Sequence, residues 1–276
     1  MKEFLEFGAI FFISFLNHLF GMILSIKNFT DKKYFYFFKS TFINWTYSLG
    51  EIFVVLYITI NQPTGLLSIG INTTDKVDNI VSIFGGAFLV TIILSPILFL
   101  LNKFVFYKNN NKILDEEVLS QPHITEIINY KSEIERLVRL SVLPFEVISE
   151  DFIYRGYLVL LLGYRTGSFI PWAIISVLLS VAIHLYQSRK LENVVFHFLA
   201  ATFFVGITLW TQNIFSSVGA HLLMNFVWMI GIWKKADKQG LGGQETVRNK
   251  KQTFVWLMFA ILNLFAIFLF FVWLSY

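Results

Sequence analysis

The stretch Phe145-Glu146-Val147-Ile148-Ser149-Glu150-Asp151-Phe152-Ile153-Tyr154-Arg155-Gly156 decides how this chain is read. It places Glu150, Asp151 and Arg155 within six residues, inside the run from Leu140 to Leu162. Apart from these and Glu146 that run is mostly apolar, and it is long enough to span a bilayer as a helix. A charged side chain at the bilayer centre costs about 2.5–3.5 kcal/mol on insertion scales, so three together need a structural or chemical reason. On an ideal helix Asp151 and Arg155 are four apart and share a face, where they can pair. Glu150 points about 100° away from Asp151 and is left over to face a cavity. Glu146 lies one turn earlier on nearly the same face. A purely structural ion pair would lock helices together, but it would not account for Glu150.

Outward from this stretch, the composition is that of a membrane protein. Of 276 residues, 56% are hydrophobic and 14% charged, against about 25% charged in a soluble domain. Mean hydropathy is +0.64. The absence of cysteine excludes disulfides, thiolate metal sites and a cysteine nucleophile. A net charge of +4 is no sign of a nucleic-acid partner, because the basic residues lie between apolar runs. The bias toward Phe, Ile, Asn and Lys suggests an AT-rich genome, such as that of a bacterium.

The pattern predicts an all-α polytopic membrane protein with about eight transmembrane helices. They lie near residues 4–26, 42–60, 80–101, 140–162, 168–187, 193–211, 213–232 and 253–274. The first is expected to remain as a span and not to be cleaved as a leader, since Lys2 is flanked by Glu3 and Glu6 and no small-x-small site follows. Lys and Arg alternate between the gaps: 18 fall in the odd gaps and 2, Lys76 and Arg165, in the even ones. By the positive-inside rule the odd gaps are cytoplasmic and both termini outside, in a bacterial plasma membrane. Three parts result. Residues 1–139 hold three spans and a cytoplasmic segment whose Ile124, Ile127 and Ile128 suit a helix lying on the membrane. Residues 140–232 hold a core of four spans. Residues 233–276 hold a glycine-containing loop and a last span.

Further polar residues fall inside the core spans. His184 lies in the fifth. His221 and Asn225 lie in the seventh, four apart on one face, beside Ser216, Ser217, Gly219 and Ala220, whose small size permits close helix approach. At 1.5 Å per residue, Glu150 lies roughly 15 Å and Asn225 roughly 10 Å from the cytoplasmic side, so these groups can meet in the cytoplasmic half of the bilayer. His197, His18 with Asn17, and Glu51 read as packing groups, and His123 as a solvated one.

Glu150-Asp151-x-x-x-Arg155, then His184, then His221-x-x-x-Asn225 resembles the three-motif pattern of the CPBP (Abi) family. That family includes the type II CAAX prenyl endopeptidases and bacteriocin-processing and self-immunity proteins. The resemblance covers about residues 140–232. It departs from the family pattern in two places: Asp151 stands where the family has Glu, and Ser180 stands where it has Phe. Neither change removes a reactive group.

The resemblance implies an intramembrane endopeptidase with Glu150, Asp151, Arg155, His184, His221 and Asn225 at its site. Glu150 and His184 are expected to activate water, and His221 and Asn225 to hold the oxyanion, without a cofactor. The runner-up is zinc on Glu150, His184 and His221, a ligand set of the catalytic type, although no His-Glu-x-x-His motif supports it. The expected partners are the lipid bilayer and a substrate that is a peptide or a membrane-protein tail. A non-catalytic immunity or cell-envelope scaffold is the alternative reading. A proton-coupled transporter is a third, with no broken-helix pair to favour it.

Overall fold

A computed structural model describes residues 48–101, 133–184 and 191–238. The first and eighth predicted spans, the surface segment with Ile124, Ile127 and Ile128, and His18 and His123 lie outside the described residues. Those residues form helices and turns, with no strand among them. We number the helices α1 (Ser48–Ile60), α2 (76–101), α3 (133–166), α4 (Ile170–His184), α5 (Leu191–Thr211) and α6 (Ile214–Lys238).

Three stretches are long and apolar enough to cross a membrane: Val77–Leu101 in α2, Asn193–Thr211 in α5 and Ile214–Trp233 in α6. They coincide with the third, sixth and seventh predicted spans. Ser48–Ile60 and Ile170–His184 are shorter apolar helices. α3 has the length, but it carries Glu146, Glu150, Asp151 and Arg155. The chain is an integral membrane protein.

α3 is the central helix. Every residue from 151 to 163 is buried, so this segment has no lipid-facing side. Apart from Asp151 and Arg155 the segment is apolar or aromatic all round, which asks for such a position. On one side Ile148, Phe152 and Leu158 pack with Ile52 and Val55 of α1 and Ile214 and Phe215 of α6. On another, Val159 packs with Val177 of α4 and Val205 of α5. Lipid is as apolar as these side chains, so close packing and interhelical hydrogen bonds, more than transfer from water, hold the bundle together.

Two features of α3 depart from an ideal helix. Pro144 sits within its first part, Glu133–Asp151. From Phe152 to Leu161 the backbone follows the wider π-helical turn, which begins directly after Glu150 and Asp151. Wide turns inside helices occur often at functional sites. α2 carries a shorter one at Val90–Leu94, where Ser95 Oγ donates to the Val90 carbonyl at 3.0 Å.

The small residues of α6 do what their size allows. A Cβ on Gly219 would lie 2.0 Å from the Ile83 carbonyl oxygen, and one on Gly86 would lie 1.8 Å from that of Ser216. α2 and α6 therefore touch backbone to backbone through two glycines, one on each helix.

The α5–α6 connection is as short as the sequence predicts. Gln212 takes the left-handed conformation at φ 52°, and Asn213 Oδ1 accepts from the Phe215 N–H at 2.9 Å, capping α6. Asn213 Nδ2 also donates to Asp78 Oδ2 at 3.1 Å and Asn79 Oδ1 at 3.0 Å, fastening the hairpin to the start of α2.

Candidate active site

Four of the six residues singled out in the sequence form one cluster. Asp151 and Arg155 pair along α3, with Nε 3.3 Å from Oδ1, and both are essentially inaccessible. The contact is an ion pair by distance; its alignment does not make a hydrogen bond, and Arg155 Nη1 has no hydrogen-bond partner. The other Asp151 oxygen, Oδ2, lies 3.1 Å from His221 Nδ1 on α6. A carboxylate only accepts, so Nδ1 carries the proton and donates. On its other side, His221 Nε2 lies 3.9 Å from Glu150 Oε2.

Glu150 is the least enclosed member, with its side chain 25% exposed. Its Oε2 has no hydrogen-bond partner. At 3.9 Å the Glu150–His221 approach is too long for a direct hydrogen bond.

His184 ends α4, and its ring is held in two ways. Nδ1 lies 2.7 Å from the Ser180 carbonyl oxygen, one turn back. A carbonyl only accepts, so Nδ1 again carries the proton, and in the neutral ring the lone pair is on Nε2. The ring also stacks on His197 of α5, with centroids 4.1 Å apart and planes at 24°. The departure at Ser180 is neutral for this bond, which uses the backbone. α4 is tied to α3 by Ser176 Oγ, which donates to the Tyr154 carbonyl at 2.8 Å. Asn225 is half-buried on α6, one turn beyond His221.

Three contributors were not read from the sequence as parts of a site. Phe204 of α5 stacks on His221, with centroids 4.8 Å apart and planes at 28°, and the Arg155 guanidinium carbon lies 5.4 Å from the centre of the same ring. His197 is the second. Its sequence signal was its spacing of seven from Phe204, two turns along one helix face. Glu51 is the third: it is buried in α1 and its Oε2 accepts from Ser149 Oγ, next to Glu150, at 2.8 Å. Nothing local in the sequence marks that contact.

Among the described residues no group of three His, Asp or Glu side chains is placed to hold a metal ion. Glu150, His184 and His221 thus do not form a ready three-ligand set as placed, although both imidazoles donate from Nδ1 and so keep Nε2 as the atom that could ligate.

No curated protein and no solved structure matches the chain. A family model does: residues 134–227 match the one described as type II CAAX prenyl endopeptidase Rce1-like. The matched segment contains every group described above except Glu51. Over residues 134–227, this membrane protein is similar to the Rce1-like type II CAAX prenyl endopeptidases.

Proposed function

We propose that the chain is an intramembrane endopeptidase that hydrolyses a peptide bond near the cytoplasmic membrane face, with a carboxylate as its general base. The observation that carries this reading is the 3.9 Å approach of Glu150 to His221, whose other nitrogen is committed to a buried Asp151–Arg155 pair.

Peptide hydrolysis needs a deprotonated water, a stabilised oxyanion and a proton for the leaving amine. Glu150 accepts the proton as the water oxygen bonds to the carbonyl carbon. His184, through Nε2, helps to hold that water. The carbonyl π electrons move to oxygen, which accepts hydrogen bonds from His221 Nε2 and the Asn225 amide. When the intermediate collapses, the C–N bond breaks and the proton on Glu150 passes to the amine.

To donate at both nitrogens, His221 carries a proton on each. Glu150 and Asp151 then balance Arg155 and His221, and the four groups sum to zero charge. A low-dielectric site favours that balance, because an uncompensated buried charge is costly. Asp151 and Arg155 touch no substrate in this scheme; they orient His221.

The test uses the full chain in liposomes with two peptides, one farnesylated and ending Cys-aliphatic-aliphatic-X, the other an unprenylated membrane-protein tail. Glu150→Gln is expected to abolish cleavage while expression and helix content hold. Cleavage at the wild-type rate by that variant overturns the assignment of the base. A phenotype that survives both Glu150→Gln and His184→Ala favours a scaffold.

A further inference from the structure

α5 supplies none of the groups that carry the proposed chemistry, yet it touches both histidines that do. We infer that α5 is the aligning element of the site, and that His197 and Phe204 are positioning residues that set the ring planes of His184 and His221. The inference rests on the hydrolytic reading above and deepens it.

A histidine side chain retains two freedoms once its backbone and its Cα–Cβ rotamer are fixed: the tautomer, and rotation about the Cβ–Cγ bond, whose torsional profile is broad. A hydrogen bond from Nδ1 sets the tautomer and anchors one atom. It leaves the ring able to swing about the bond, and that swing displaces Nε2, the atom facing the reaction. A ring stacked on the imidazole face opposes the swing.

Both histidines are held by this same pair of contacts. His184 donates from Nδ1 to the Ser180 carbonyl at 2.7 Å and stacks on His197 at 4.1 Å. His221 donates from Nδ1 to Asp151 at 3.1 Å and stacks on Phe204 at 4.8 Å. The two hydrogen-bond acceptors are unrelated, one a backbone carbonyl on α4 and one a carboxylate on α3. The two stacking rings come from one helix. They are seven residues apart, about 10 Å along the axis of α5 and on one face.

Phe204 adds a second function to its stack. It is buried in the core with Val90, Leu94 and Ala220, and Arg155 approaches the same ring at 5.4 Å. The negative face of an aromatic ring attracts a guanidinium and an imidazolium alike. Phe204 thereby touches both His221 and Arg155 and ties the imidazole to the α3 ion pair. His197 is held edge-on by Phe196 at 5.3 Å.

His197 is itself titratable, so a role in proton transfer has to be separated from stacking. His197→Phe keeps a ring and removes the proton site, whereas His197→Leu removes both. With the farnesylated peptide in liposomes, His197→Leu and Phe204→Leu are expected to lower kcat about 10- to 100-fold with little change in KM, and His197→Phe to restore most of it. His197→Phe as impaired as His197→Leu overturns the stacking role, and so do leucine variants with wild-type kcat.

A second readout needs no substrate. In nanodiscs with ¹⁵N,¹³C-histidine, Phe204→Leu should move the His221 ring protons by removing the ring current, and His197→Leu should do the same for His184. Unmoved ring signals in a folded variant overturn the alignment. Should wild type leave the peptides intact, the proteolytic reading fails, while these shifts still decide whether α5 holds the rings.

Discussion

His221 donates to Asp151 across 3.1 Å, and that contact joins α6 to the buried ion pair of α3. One oxygen of Asp151 serves His221 and the other faces Arg155, so a single carboxylate couples helix packing to the orientation of the His221 imidazole. The residue that departs from the family's usual glutamate is the one at this junction.

Asp151→Asn should therefore be damaging even though it conserves shape. The amide can donate as well as accept, so it no longer fixes which nitrogen of His221 holds the proton. The expected loss in kcat is on the order of 10⁴-fold, as when the orienting aspartate of a catalytic histidine becomes an amide. Single-turnover cleavage with the two peptides measures it. A variant within a few fold of wild type would show that Asp151 serves packing alone.

Arg155→Leu breaks the pair from the other side and leaves Asp151 without its guanidinium in a buried position. Removing one partner of a buried ion pair destabilises by about 3–5 kcal/mol. Thermal unfolding in detergent should show a clear drop, larger than that of Arg165→Leu. Arg165 is only part-buried, and its Nε donates to Gln62 Oε1 at 3.2 Å.

The seam between α2 and α6 should reject any added carbon. Gly86→Ala and Gly219→Ala each place a methyl group within about 2 Å of a backbone carbonyl oxygen on the other helix. Overpacking of this kind costs about 1–3 kcal/mol. The two changes act on one interface, so the double variant should lose less than the sum, because the first already separates the helices. Full additivity in thermal unfolding would show that the two contacts are independent.

The tie from α1 to the site is testable by a double-mutant cycle. Ser149→Ala deprives Glu51 of a donor at 2.8 Å. A hydrogen bond to a charged group contributes about 1.5–3 kcal/mol. Ser149→Ala and Glu51→Gln should show coupling of that order in stability. If Ser149 also steadies Glu150, the single variant should lower kcat more than KM rises.

Metal dependence separates the glutamate reading from the zinc one. Cleavage is expected to survive prolonged dialysis against a strong chelator. Activity lost on dialysis and restored by one equivalent of zinc would place a metal at Glu150, His184 and His221 and displace the proposed mechanism.

Much of this protein is legible from local pattern. Hydropathy marks α2, α5 and α6, because a spanning helix must satisfy its own backbone and present apolar side chains along its length. The Asp151–Arg155 pair follows from a spacing of four, and the α5–α6 hairpin from a gap of two residues. The small residues of α6 announce a close approach, though not to which helix.

Tertiary structure decided the rest. His221 meets Asp151 across 70 residues of sequence, and Ser149 meets Glu51 across 98. No periodicity records such meetings. The wide turn after Asp151 changes the register on which facing arguments depend. The two rings of α5 look like ordinary apolar filling until their neighbours are known. The physical reason is that lipid and protein interior are equally apolar. Composition therefore determines that a helix enters the membrane, while only the shape of its packed neighbours determines which face it turns to the site.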